Sequence, residues 1–299
     1  MTWLQLSIEV PADQAEIASE AFTAAGALSV TVLDAGDEPL LEPAPGETPL
    51  WSSNRIVALF TPETEVAQVE ESLRNGLKDE SIHCQIEQLE DRDWSNTWRD
   101  TFGAMQFGRR LWVCPLGELP PDPGACVVQM DPGLAFGTGT HVTTGLCLEW
   151  LDAHAPEGKR VIDYGCGSGI LAIAACKLGA DRVCALDIDP QALQATRDNA
   201  SRNAVEDCLE VRLSGELATD PVDLVMANIL ANPLIELAGL LAARVRPGGQ
   251  LIMTGILREQ GAAVMAAYDD RFDFKPSVMR EEWVLLEGIK RHDCSPDDL

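Results

Sequence analysis

The stretch Asp163-Tyr164-Gly165-Cys166-Gly167-Ser168-Gly169-Ile170-Leu171 decides the fold. Three alternate glycines follow the apolar run Val161-Ile162 and lead into a segment of Ala, Ile and Leu. That is the pattern of a buried strand turning into a helix over a loop whose backbone a ligand can approach closely. Eighteen residues beyond Gly169, Asp187 closes the next apolar run, Val183-Cys184-Ala185-Leu186. A carboxylate at that place can accept hydrogen bonds from both hydroxyls of an adenosine ribose. The glycine spacing is G-x-G-x-G and not the dinucleotide G-x-G-x-x-G, so a cofactor with adenosine but no pyrophosphate fits better. Leu224-Val225-Met226-Ala227-Asn228 and Leu251-Ile252-Met253-Thr254 continue the alternation of short apolar runs with helical stretches. This predicts a parallel sheet covered on both faces.

Two further segments carry chemistry. Asp131-Pro132-Gly133-Leu134-Ala135-Phe136-Gly137-Thr138-Gly139-Thr140-His141-Val142-Thr143-Thr144 is rich in glycine and hydroxyls and gives way to a helical run at Leu146 to Leu151. Thr143 or Thr144 is expected to cap that helix, and amides at its start suit a carboxylate such as that of methionine. His141 reads either as a base or, preferably, as a histidine that holds the turn, and Phe136 either covers the cofactor or packs inward. Asn228, in Ala227-Asn228-Ile229-Leu230-Ala231-Asn232-Pro233-Leu234, stands at the edge of a strand where open α/β sheets bind ligands. Its amide oxygen can accept a hydrogen bond from an amine and aim the lone pair at an electrophilic carbon. The alternative is simple strand-end turn chemistry.

The first third of the chain has another grammar. Residues 3–10 alternate as a strand, 12–25 read as a helix ending at Gly26, and 27–33 form a second strand closed by Asp34. Pro39, Pro43, Pro45, Gly46 and Pro49 block regular structure up to about residue 50. Ile56 to Phe60 gives a third strand, Glu63 to Leu77 a helix and His83 to Leu89 a fourth strand. The order β-α-β-β-α-β predicts a split, ferredoxin-like arrangement. Glu90 to Phe102, with Trp94 and Trp98 on one helical face, reads as a linker helix, its tryptophans pinning it to a domain. Residues 106–130 hold two strands around the turn Pro120-Pro121-Asp122-Pro123-Gly124. The expected domains are thus a small α+β ferredoxin-like unit over 1–90, a linker helix over 91–105 and a Rossmann-like, doubly wound α/β unit over 106–299.

Composition bounds the function. At 299 residues the chain has the size of about two domains. With 22 basic and 48 acidic residues, the net charge of −26 repels the phosphate backbone that a nucleic-acid binder must neutralise. A basic protein partner is favoured, and solubility alone is the competing explanation of the acidity. Residues 1–100 hold 5 basic and 20 acidic side chains, so 5 − 20 = −15 of that charge lies in the front third, the better docking surface. Nine cysteines without a Cys-x-x-Cys pair, and four histidines that do not cluster with them, suggest reduced thiols, a cytoplasmic setting and no metal site. No apolar run reaches the 18 or so residues of a membrane span. A monomer is expected, with nothing in the sequence to fix the oligomeric state.

Taken in order, Asp131 through Thr144, Asp163 through Leu171, Leu186-Asp187-Ile188-Asp189-Pro190 and Asn228-Ile229-Leu230 resemble the signatures of the ribosomal protein L11 methyltransferase family. The resemblance covers essentially the whole chain, including the acidic Trp-containing linker and the front domain. One departure is Val142, which stands where the family pattern has proline between the histidine and two threonines. The resemblance implies a cofactor, S-adenosyl-L-methionine, touched by Thr144, Gly165, Asp187 and Asn228, with Gly167 in the same loop. Asp187 would serve the ribose and Gly165 would lie near the methionine end. It also implies methylation of lysine ε-amines and the N-terminal α-amine of ribosomal protein L11, a front domain that recognises that substrate, and Asn228 as the catalytic residue. The alternatives are a methyltransferase of RNA or a small molecule, or a non-catalytic S-adenosylmethionine-binding protein that docks on the ribosome. A nicotinamide dehydrogenase fits less well, because the glycine spacing is wrong for it.

Overall fold

In a computed structural model, residues 2–36, 50–90, 103–130, 141–216 and 220–292 are described. The chain divides into two units, Met1–Thr97 and Trp98–Leu299. The proline-rich segment through Pro49, most of the expected linker helix with Trp94 and Trp98, and the loop from Asp131 to Thr140 with Phe136 lie outside the described residues. At the end of the expected linker Met105 already belongs to a strand, so no helix extends through 105.

In the first unit the period-two alternation of the sequence becomes a half-buried sheet. Strands β1 (Thr2–Pro11), β2 (Ser29–Asp34), β3 (Ser53–Phe60) and β4 (Gln85–Glu90) pair antiparallel in the order β2-β3-β1-β4. Helices α1 (Ala12–Ala24) and α2 (Val66–Leu77) complete the β-α-β-β-α-β order. Leu6, Ile8 and Val10 lie beside Ile56, Ala58 and Phe60, and all pack with Phe22 of α1 and Leu73 of α2 into one core. On the other face of the sheet Glu9 lies opposite Arg55, whose Nη2 donates to Glu9 Oε1 at 2.7 Å. The helices approach closely because Gly76 of α2 faces Ala21 of α1, where an added Cβ would already be in contact at 3.4 Å.

The second unit opens with three short strands, β5 (Met105–Phe107), β6 (Leu111–Pro115) and β7 (Cys126–Met130). Two strands are expected here from the sequence. The flanks of the proline turn, β6 and β7, run parallel, and β5 adds an antiparallel third strand. Beyond them come α3 (Val142–Ala153), β8 (Arg160–Tyr164), α4 (Ile170–Lys177), β9 (Arg182–Asp187), α5 (Pro190–Arg202) and β10 (Leu209–Leu213). The chain continues through β11 (Val222–Asn228), α6 (Ala231–Glu236), α7 (Ala238–Arg244), β12 (Val245–Leu257), α8 (Gly261–Ala266), β13 (Phe272–Phe274), β14 (Val278–Arg280) and β15 (Trp283–Lys290).

The main sheet has the order β10-β9-β8-β11-β12-β15-β13, with β14 paired to β15. Strands β8 to β12 pair parallel, whereas β15 is antiparallel to β12, β13 and β14. Successive strand residues enter opposite cores: Val161, Val183, Leu224, Met226 and Ile252 join one, and Ile162, Leu186, Val225, Leu251 and Met253 the other. Burial on both faces explains why these strands read as unbroken apolar runs. After β8 the chain winds outward through β9 to β10, then returns to place β11 on the other side of β8. Such a reversal opens a crevice at the C-terminal ends of β8 and β11.

Candidate active site

The glycine loop after β8 is built by left-handed backbone conformations that favour glycine. Gly165, Gly167 and Gly169 have φ of 79°, 53° and 81°. A Cβ on Gly165 would run into Ile229 Cγ2, and one on Gly169 would sit 2.7 Å from Thr196 Cγ2. The loop is stitched to the end of β9: the Gly165 and Cys166 amides donate to Leu186 O at 2.8 and 2.9 Å, and the Gly167 amide donates to Asp187 Oδ2 at 2.9 Å. Asp187 Oδ1 accepts the amide of Asp189 at 3.0 Å. From beneath, α5 braces the loop through Thr196 Oγ1, which donates to Gly167 O at 2.9 Å, and Asn199 Nδ2, which donates to Ser168 O at 2.9 Å. Asn203, one turn on, exchanges two hydrogen bonds with the backbone of Gln129 in β7.

The second half of the crevice joins α3 to β11. Thr144 lies in the first turn of α3 and is 1% exposed, and Asn228 Nδ2 donates to its Oγ1 at 3.4 Å. The cap of α3 is His141, not Thr143 or Thr144 as the sequence suggests. Its Nδ1 accepts the Thr143 amide at 3.4 Å and lies 2.7 Å from Thr143 Oγ1. Val142 is the first residue of the helix, where proline is well accommodated. The far end of α3 is fixed by Asp152, whose carboxylate accepts the amides of Arg109, Arg110 and Leu111 at 2.6, 3.2 and 3.1 Å.

Gly165, Gly167 and Asp187 therefore form one hydrogen-bonded group and Thr144 and Asn228 another, with Ile229 against Gly165 between them. All five sequence-derived site residues lie at this crevice. Asp163, the penultimate residue of β8, adds a further buried group. It is 1% exposed, its Oδ2 accepts the Ala172 amide at 3.0 Å, and its Oδ1 has no partner. Burial, with Asp187 nearby, pushes this carboxyl up to about 7 against the opposing pull of the Ala172 amide.

The arrangement fits a cationic, adenosine-bearing group. Gly165 and Gly169 have no room for side chains, Asp187 has spent only two acceptor positions on backbone amides, and the buried Asp163 Oδ1 offers an acceptor for an ammonium. The braces Thr196, Asn199 and Asn203 were legible as a buried polar stripe at helical spacing within an otherwise amphipathic helix. Among the described residues no group of three His, Cys, Asp or Glu side chains is placed to hold a metal.

A G-x-G-x-G loop and a strand-end acid at the switch point of a parallel sheet, closed on one side by an antiparallel strand, are the design of the Rossmann-like methyltransferases. Comparison with known proteins narrows the class. Residues 2–291 match the family model described as "Ribosomal protein L11 methyltransferase (PrmA)". A ribosomal protein L11 methyltransferase of Methylococcus capsulatus is 53% identical over 291 residues, covering 97% of this chain and 99% of that protein. One of Azotobacter vinelandii is 48% identical over 292 residues, covering 97% and 100%. Among solved structures, the ribosomal protein L11 methylase of Lactobacillus delbrueckii subsp. bulgaricus is 31% identical with a TM-score of 0.59, covering 64% of this chain and all of that one. The chain belongs to the ribosomal protein L11 methyltransferase family and is a methyltransferase.

Proposed function

We propose that this enzyme transfers methyl groups from S-adenosylmethionine to lysine ε-amines and the N-terminal α-amine of ribosomal protein L11. The observation that carries the reading is the convergence of Gly165, Gly167 and Asp187 with Thr144 and Asn228 at one crevice, in a chain of this family. The bound cofactor supplies a methyl group already activated by its sulfonium charge. Asp187 would hold the ribose hydroxyls, Gly165 and Gly167 would line the cofactor, Thr144 would serve the methionine end with the first turn of α3, and Asp163 would accept its ammonium. Asn228 is the catalytic residue: with Nδ2 engaged by Thr144, its Oδ1 would accept an N–H of the incoming amine and orient the lone pair for attack.

The amine must be neutral to react. A free lysine has a pKa near 10.4 and an α-amine about 7.7–8.0, so a proton passes to water before transfer. Desolvation beside a fixed positive charge favours that loss, and orientation supplies most of the remaining rate. No dedicated general base is required.

The acidic front unit, over residues 1–90, is the recognition domain for the basic substrate, 91–105 the linker and 106–299 the catalytic domain. The chain works as a cytoplasmic monomer without direct nucleic-acid contact. A net charge of −26 favours a basic protein acceptor over RNA. The test is the intact mass of unmethylated large-subunit ribosomal proteins incubated with the enzyme and S-adenosylmethionine. Methyl-sized steps confined to L11 are expected, and cofactor binding with no protein gaining mass overturns the acceptor assignment.

A further inference from the structure

We propose that His141 is a positioning residue for methyl transfer, acting through the first turn of α3 on Thr144 and Asn228, and that it takes no proton from the amine. The inference rests on the reading of Thr144 and Asn228 given above. His141 has extended backbone, φ −74° and ψ 139°, at the point where the chain enters α3, and its carbonyl accepts the Gly145 amide at 3.1 Å. Its Nδ1 faces both the amide and the hydroxyl of Thr143, at 3.4 and 2.7 Å. Accepting the amide N–H requires an unprotonated Nδ1, so the hydroxyl donates as well and the ring proton sits on Nε2.

Two consequences follow from that tautomer. The single lone pair of the neutral ring is already committed to Thr143, so His141 cannot act as a base without releasing the helix cap. The hydroxyl of Thr143 is consumed in the cap, which leaves the next residue, Thr144, as the hydroxyl that meets Asn228. The ring is also held from the side. Trp283 stands edge-on to it, with centroids 5.0 Å apart and planes at 71°. Trp283 opens β15 opposite Leu257, the last residue of β12, and Arg280 of β14. Arg280 in turn makes a two-point ion pair with Glu149 on α3, at 2.6 and 3.1 Å. The hairpin of β14 and β15 thus clamps His141 and α3 together at the edge of the sheet where Asn228 lies.

The test uses the full chain with His141→Ala, His141→Asn and Trp283→Leu, beside Asn228→Ala. Asparagine caps a helix as well as any residue but offers no basic nitrogen. His141→Ala should lower kcat about 10-fold or more with little change in KM for the protein substrate, since a displacement of about 1 Å at a reacting group costs on the order of 100-fold. His141→Asn should restore most of the rate, with a pH profile of kcat that superimposes on the wild type. Trp283→Leu should repeat the kcat loss in part while His141 is still present. Circular dichroism and S-adenosylhomocysteine binding report whether each variant is folded.

If the folded His141→Asn protein is as slow as His141→Ala, or loses a limb of its pH profile, the ring itself handles a proton and the proposal falls. Wild-type turnover in His141→Ala overturns it too. Wild-type turnover in Asn228→Ala removes the site reading and this proposal together, whereas a slow Asn228→Ala beside a failed His141→Asn removes only the proposal.

Discussion

At the scale of single residues, the proposed mechanism assigns binding to some groups and reaction to another. Asp187 is tied to the glycine loop by Gly167 and to its own turn by Asp189, so replacing it removes the proposed ribose ligand and loosens the loop at once. Asp187→Ala should weaken cofactor binding by about 10–100-fold, the range expected for one or two charge-assisted hydrogen bonds. Asn228→Ala should instead lower kcat on the order of 100-fold, beyond what its change in cofactor affinity explains. Titration calorimetry and single-turnover kinetics on both variants separate the effects, and unchanged kinetics in Asn228→Ala sinks the second assignment.

Asp163 gives a prediction about pH. Its carboxyl ionises near 3.9 in the unfolded chain and at about 7 in the folded one. Between those values the unfolded chain has released the proton and the folded chain has kept it. This residue's contribution is therefore fully present below the unfolded value, is lost as pH rises through the folded value, and falls by at most about 1.4 kcal/mol per pH unit. Asp163→Asn should remove that slope, so denaturant midpoints of wild type and variant should diverge from pH 4 to 7 and then run parallel. Parallel curves throughout would refute the assignment. Gly165, Gly167 and Asp187 could be singled out from the sequence because glycine spacing and a strand-end acid are local signals. The state of Asp163 was not, because it depends on burial that only the packed sheet creates.

At the scale of elements, α3 is the one on which the Thr144–Asn228 half of the site depends. His141 adopts the extended backbone that a residue before proline prefers, and Val142 occupies the first helical position. Val142→Pro should then stabilise the enzyme by about 0.4–1 kcal/mol by restricting the unfolded chain. Thermal unfolding measures it, and a lower midpoint would mean that the Val142 amide has a partner the helix needs. Most of the fold was readable at this scale, since β-α-β-β-α-β in the first unit and the apolar runs of β8, β9, β11 and β12 carry their period in the sequence. Strands β10 and β13 to β15 were not read; β13 and β14 have only three residues each, too few to show a period. The bulge of β12 was equally hidden. There Gly255, at φ 82°, lets the strand pass against the backbone carbonyl of Ile229, a contact between residues 26 positions apart. The capping of α3 was misread for a related reason: histidine is an uncommon cap, and Trp283, which holds its ring, lies 142 residues downstream.

At the scale of the whole molecule, charge is the property that the sequence makes plain and that no single contact expresses. Of the net −26, −15 lies in residues 1–100, on a chain whose glycine loop and strand ends form a site without needing that acidity. Ion pairs such as Arg55 with Glu9 and Arg74 with Glu70 neutralise only a few of the carboxylates of the first unit. The remainder sets up a long-range field that raises the rate of encounter with a basic protein and is screened over about 10 Å at 0.1 M salt. The association rate with ribosomal protein L11, followed by stopped-flow fluorescence, should fall by about 10-fold or more between low salt and 0.5 M, while the dissociation rate changes far less. Replacing exposed acids of the first unit, such as Glu16, Glu20 and Glu63, with glutamine should flatten the slope without altering S-adenosylhomocysteine binding. An association rate indifferent to salt would mean that the acidity of this unit serves solvation, and recognition would then have to rest on its uncharged surfaces.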